Sequence, residues 1–239
     1  MDIRDIHYDY KQKLNKIDSQ QYRNLRVPEI DWKINEATNI FIKLVAQPRI
    51  YNHLGFETSQ RTIDDIRTIV INDTPLIPIN NNDNSYYVEL PDDYMFYLSS
   101  KALITKDNCG TVYATCIVRQ HDDRHEESPF DSSSFEWREV NIRFYDKGIK
   151  IFTDGTFIID TFYLNYIRKH PYIHNAQDYL PSGTYKLPNG QLLTGSQNIE
   201  LPEHVHSEIV DMAVLITSGD LSMADYQLKQ AKINLNQIN

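Results

Sequence analysis

Seven consecutive residues, His121-Asp122-Asp123-Arg124-His125-Glu126-Glu127, put two imidazoles and four carboxylates in one short stretch. These are ligand types for zinc and other divalent ions, so a metal-dependent hydrolase using His121, Asp122, Asp123 and His125 is the enzymatic reading of the chain. The surroundings argue against it. The stretch follows a strand-like run and precedes Ser128-Pro129, which makes it a polar solvated loop, and ligand types alone do not supply tetrahedral geometry. A second cluster, Glu203-His204-Val205-His206-Ser207-Glu208, opens a predicted helix. Side chains two apart on a helix diverge, so His204 and His206 do not face one ion there. The metalloprotease order, histidines four apart with a glutamate beside the first, is also missing. Glu203 and Glu208 have an ordinary role as acidic residues near a helix N-terminus. No glycine-rich phosphate loop ends in Gly-Lys-Ser or Gly-Lys-Thr, and no nucleophile elbow is present. The expectation is a chain with no catalytic residue, no metal and no cofactor.

The elements around these clusters read as helical at both ends. Ile6, Tyr10, Leu14 and Ile17 recur at helical spacing with Lys11, Lys13 and Lys16 between them. Pro28 suits the first turn of a second helix, whose stripe of Ile30, Ile34, Ala37, Phe41 and Leu44 runs towards Pro48, with Trp32 and Ile40 widening the buried face. A shorter helix is expected after Thr62, carrying Ile63, Ile66 and Val70 on one side. Towards the C-terminus, Leu201-Pro202-Glu203 opens a helix striped by Ile209, Met212, Ala213 and Ile216, which Ser218-Gly219-Asp220 ends. Ser222 and Asp225 then resemble a capping box before Ala224, Leu228, Ala231, Leu235 and Ile238, a narrow stripe for either the chain's own core or another subunit.

Between the helical ends lies a block of strands. Val112, Ala114, Cys116 and Val118 alternate with Thr111, Tyr113, Thr115 and Ile117, which is strand periodicity. From Phe135 to Phe144 the apolar parity flips, and a β-bulge near Arg138-Glu139 would restore one buried face. Asp154-Gly155 between strand-formers predicts a type I′ hairpin, and Asn189-Gly190 predicts a second small one. The fold class expected is α+β, a helical bundle from residues 1–80 and 200–239 with an inserted antiparallel β domain at 85–170. A loop-rich connection with a small hairpin occupies 171–199.

Composition narrows the partners. A chain of 239 residues with 41% hydrophobic and 24% charged content can bury a substantial core. Its net charge of −9 opposes a sequence-independent grip on nucleic acid, which needs cations to neutralise phosphates. Two cysteines, Cys109 and Cys116, are too few for a disulfide framework and read as reduced thiols of an intracellular protein. The first residues lack the apolar core of a signal peptide, and no stretch has the apolar length of a membrane span. The 16 tyrosines stand out, with many in or near the strands. Tyrosine is enriched at protein interfaces, although it is also an ordinary strand residue. Exposed tyrosines could equally stack on sugars, which leaves a carbohydrate-binding β module as a third reading.

Four stretches carry a resemblance across nearly the whole chain: Val27-Pro28-Glu29-Ile30-Asp31-Trp32, Leu90-Pro91-Asp92-Asp93-Tyr94, Phe135 to Phe144, and Leu201-Pro202-Glu203-His204 leading into Ile209-Val210-Asp211. Together they resemble the head-to-tail connector, or adaptor, proteins of short-tailed phages, in particular the ring proteins of crAss-like phages. The resemblance implies a virion protein, assembled in the cytoplasm of a bacterial host. It would form a homo-oligomeric ring of twelve copies beneath the portal protein, extending the DNA channel and docking other tail or ring proteins. It implies no catalytic residue and no membrane, and DNA would pass without specific binding. An acidic balance suits such a conduit, which should not retain phosphates. Ring closure needs heterologous contacts. Tyr94, Tyr97, Tyr163 and Tyr166 of the strands, with Leu228, Leu235 and Ile238 of the terminal stripe, are the nominated subunit or portal interface.

Overall fold

The computed structural model describes residues 1–14, 25–46, 64–81, 83–107, 109–120, 131–220 and 230. It divides into two compact units, Met1–Ile69 with His170–Asn239, and Val70–Lys169.

The second unit is one eight-stranded sheet. Its strands are β1 (Val70–Leu76), β2 (Ile79–Asn80), β3 (Ser85–Glu89), β4 (Tyr94–Lys106), β5 (Gly110–Val118), β6 (Glu139–Phe144), β7 (Gly148–Phe152) and β8 (Ile158–Arg168). They lie in the order β1-β8-β4-β5-β6-β7-β3-β2. All pairs are antiparallel except β5 with β6. Strands β1 and β2 sit at opposite edges, yet only Ile77-Pro78 separates them along the chain. Three residue steps reach at most about 11 Å, so the sheet must curl until its edges approach, giving a half-barrel. Curling is helped by register shifts along the long β4–β8 ladder. The concave interior is filled by Val88, Ala102, Ile104, Ala114, Val140, Ile142, Ile149, Ile151, Phe162 and Leu164, each nearly or wholly buried. The alternation in β5 holds at its centre, with Ala114 and Cys116 facing this core and Val112 packed partly on it, whereas Val118 at the strand's end is exposed.

This architecture overturns the expected fold class. The protein is mostly β, and its dominant element is a curled mixed sheet rather than an antiparallel insert in a helical bundle. Two local expectations also change. Asp154-Gly155 makes no hairpin, because β7 pairs with β3 and β6 while β8 pairs with β4 and β1. Gly155 does take φ +80°, and the Asp154 carboxylate accepts hydrogen bonds from the Thr156 amide and hydroxyl at 2.8 Å, so the pair turns the chain without zipping its flanks. The parity flip before β6 comes from a tight turn, not a bulge. Ser134 bridges to Glu139, Arg138 adopts φ +54°, Phe135 packs on the core and Trp137 points outward, 81% exposed.

The first unit gathers helices α1 (Ile3–Leu14), α2 (Val27–Ala46) and α3 (His206–Asp220) with short strand pairs. Helices α1 and α2 both pack on α3. Ile3, Ile6 and Tyr10 of α1, Ile30, Ile34 and Ala37 of α2, and Ile209, Val210 and Ala213 of α3 are buried. The Tyr10 hydroxyl meets Thr217 Oγ1 at 2.5 Å. The helix expected after Thr62 is confined in the described residues to 64–66, followed by a 3-10 turn at Arg67–Ile69, and Val70 begins β1. Strands β9 (His174–Asn175) and β12 (Ser196–Gln197) pair, as do β10 (Thr184–Lys186) and β11 (Leu192–Thr194). The β10–β11 hairpin is the one expected at Asn189-Gly190. Its turn is closed by Gly190 N–H to the Leu187 carbonyl at 2.9 Å, with Gly190 at φ +87°.

Candidate functional site

The polar centre of the first unit is Asp31, fully buried on α2. His7 Nε2 of α1 donates to its Oδ1 at 2.7 Å. Its Oδ2 accepts the Tyr185 hydroxyl of β10 at 2.7 Å and the Asn175 amide of β9 at 3.1 Å. One helical turn on, Asn35 satisfies the backbone of Ile173, accepting its amide at 2.9 Å and donating to its carbonyl at 2.7 Å. A buried carboxylate is tolerated only with such a set of donors. Here they tie α1, α2, β9 and β10 to one point. Burial, reinforced by Asp31, pushes the Tyr185 hydroxyl far above the usual tyrosine range, and burial lifts Tyr172 to about 12. Tyr185 stays protonated and donates to Asp31, and with His7 enclosed the cluster clamps its elements together.

Beside the clamp opens a groove of about 400 Å³ lined by Pro28, Glu29, Trp32, Lys33, Tyr172, Tyr185, Lys186, Leu187 and Pro188. Tyr179 packs edge-on against Tyr185, with ring centroids 5.9 Å apart, and holds its ring upright. Trp32 is 52% exposed. The sequence pattern puts it and Ile40 at the margin of the buried face of α2, and Leu44 in the buried stripe itself. Instead Trp32, Ile40 and Leu44 lie on the outward side of that helix at steps of eight and four, so α2 is apolar on two faces.

No family model and no curated protein matches this chain.

The sequence-nominated residues scatter. Tyr166 is buried in the half-barrel core, its hydroxyl donating to Asp93 at 2.9 Å and its ring 5.9 Å from that of Tyr94. Tyr94 and Tyr97 are partly buried against the same core, Tyr97 edge-on to Phe144 at 5.1 Å. Tyr163 alone of the four lies on the convex face. Its ring and that of Tyr113 flank Lys101 Nζ at 5.5 Å each, and Asp73 meets that ammonium at 2.8 Å. Leu228, Leu235 and Ile238, like His121, Asp122, Asp123 and His125, lie outside the described residues. His204 Nε2 bonds Asp65 at 2.8 Å, whereas His206 Nε2 donates to the Leu201 carbonyl at 2.8 Å. The two imidazoles therefore serve different partners. Among the described residues no group of three or more histidine, cysteine or acidic side chains could hold a metal ion, and no helix is long and apolar enough to cross a membrane. Cys109 is exposed and Cys116 buried, and burial raises the Cys116 thiol to about 12, which makes it a packing residue.

Sequence reasoning placed Asp31 in a motif without assigning it a role, and gave Trp32 to the buried face of its helix. The available signal was an aspartate on the apolar face of a helix, one residue after Ile30 and three before Ile34. A charge in that position calls for a partner set from elsewhere in the chain.

Proposed function

We propose that this chain is a structural subunit of a phage head-to-tail connector, a ring protein that sits below the portal, extends the DNA channel and docks tail components. One observation carries the reading: each unit presents large apolar side chains to solvent. Ile77 (85%), Trp137 (81%) and Leu180 (83%) are almost fully exposed. Large apolar side chains left in solvent are candidate points of contact with other proteins. The four stretches behind the resemblance support the same role, since their side chains serve packing or surface. Asp31 clamps, Trp32 and Trp137 point outward, and Asp93 accepts the Tyr166 hydroxyl while its carbonyl accepts the Lys169 amide at 2.7 Å. A ring needs two different contact surfaces per copy; the first unit offers the groove, and the second offers exposed strand and turn residues. The net charge of −9 suits a channel wall that lets phosphates pass.

Mass measurement of the purified protein alone and mixed with the portal tests this. A ring-sized assembly on mixing is expected, together with density for the chain at the portal vertex of virions imaged at high resolution. A protein that stays monomeric with the portal and is missing from that vertex sinks the proposal, as would stoichiometric zinc with saturable hydrolysis of a defined compound.

A further inference from the structure

Helix α2 is apolar on two faces. The inner one packs within the first unit, while the outer one presents Trp32, Ile40 and Leu44, all exposed. A helix apolar on both sides belongs between two partners, and the described residues cover one side. The three exposed side chains fall on a single ridge of four-residue steps, about 18 Å long at 1.5 Å per residue. Residues 222–238 hold a stripe of the same form. Ala224, Leu228, Ala231, Leu235 and Ile238 recur at alternating steps of four and three, a heptad seam of about 21 Å. So narrow a seam fits the side of one helix, whereas a helix set into a core needs a broader face. Gln230, the residue of this stretch among the described residues, is helical and exposed, and it falls off the seam.

The starting point of the stretch selects its partner. Helix α3 ends at Asp220, whose carboxylate meets Lys33 Nζ at 2.5 Å, so that end is fixed beside Trp32 at the start of α2. Leu221 and Ser222 are a loop of the length that joins two antiparallel helices. A helix returning from this point reaches the outer face of α2 at its Trp32 end, and the two stripes match in length to within one helical turn. A segment on so short a tether meets its site at an effective concentration on the order of millimolar, which a second copy would have to exceed.

We propose that residues 222–238 form a helical strap whose heptad seam lies along Trp32, Ile40 and Leu44 of the same chain. The inference does not use the ring reading, and it takes Leu228, Leu235 and Ile238 out of the nominated subunit interface.

Trp32 reports on the contact. It and Trp137 are the two tryptophans, so Trp137→Phe leaves Trp32 as sole emitter in the full-length chain. In that protein Trp32 should emit to the blue of a solvated indole and resist acrylamide quenching, equally at high and low protein concentration. Leu228→Asp with Leu235→Asp should move the emission to the red and steepen the quenching, each substitution weakening docking about tenfold or more, the factor carried by one buried leucine. Ile40→Asp, on the other side of the contact, should do the same, and circular dichroism checks that each variant keeps its fold. A Trp32 that is equally shielded, or equally open, before and after these substitutions overturns the strap. Shielding that fades on dilution puts the seam on a second copy and overturns it as well.

Discussion

Asp31 shows how much one side chain can hold. Replacing it with alanine leaves the Tyr185 hydroxyl, the Asn175 amide and His7 buried without their shared acceptor. Breaking a buried charged cluster from one side costs roughly 3–5 kcal/mol, so Asp31→Ala should lower the urea midpoint of the first unit by that equivalent. Tyr185→Phe removes one donor and keeps two, and should cost about 1–2 kcal/mol in the same titration. A smaller loss for Asp31→Ala than for Tyr185→Phe would show that the carboxylate is not the hub. The histidines of this unit give it a pH dependence. Burial lowers the pKa of His206, and burial, opposed by Asp31, lowers that of His174. With folded values depressed, their contribution is complete above the unfolded value of about 6.5 and is lost as pH falls through the folded one. The urea midpoint should therefore drop between pH 7 and pH 5. His206→Gln, which can still donate to the Leu201 carbonyl, should flatten that slope, and an unchanged slope would assign the acid sensitivity elsewhere.

Elements are where the sequence was read most unevenly. At Gly148, the first residue of β7, an added Cβ would collide with the Val88 carbonyl and the Tyr87 ring of β3. Gly148→Ala should thus push β3 and β7 apart and cost about 1–3 kcal/mol in urea unfolding, while leaving far-UV dichroism strand-rich. A neutral result would mean that β3 yields freely. Nothing in the local sequence marks this close approach, because β3 and β7 are about 60 residues apart and meet only in the sheet. The same limit explains the Asp154-Gly155 turn: turn residues encode a change of direction, whereas partner choice belongs to long-range pairing. Period decided Ala114 and Cys116 of β5 and Ile6, Tyr10 and Leu14 of α1, while Ile17 of that stripe lies outside the described residues; the β10–β11 hairpin was legible from its Asn189-Gly190 turn, whose flanks are close enough in sequence to pair with each other. For α2 the stripe of Ile30, Ile34, Ala37 and Phe41 was legible, but apolar character cannot say whether Trp32 and Ile40 are covered by this chain or left open. The clamp stayed hidden because His7, Asp31, Asn175 and Tyr185 come from four elements.

At the scale of the whole molecule, the half-barrel is an insertion with a narrow stem. The chain enters it at Val70 and leaves it after Arg168, and Val70 pairs directly with Ile167 in the β1–β8 ladder. Antiparallel partners have Cα atoms about 5 Å apart, so entry and exit are neighbours. All eight strands and their core residues fall inside residues 70–169. The helical reading of the chain arose from weighting its two ends, where 3.6-residue periodicity is easily seen, over strands that become one sheet only through pairings such as β4 with β8. If the sheet is a self-contained unit, residues 70–169 expressed alone should give a monomer with strand-rich dichroism and one cooperative urea transition. The complementary protein joins Ile69 to His170 through a linker of about four residues, reaching up to roughly 14 Å. It should keep the helical signal and still lose stability on Asp31→Ala, because His7, Asp31, Asn175 and Tyr185 all belong to it. A 70–169 fragment with strand content but no cooperative transition would show that the half-barrel depends on the rest of the chain.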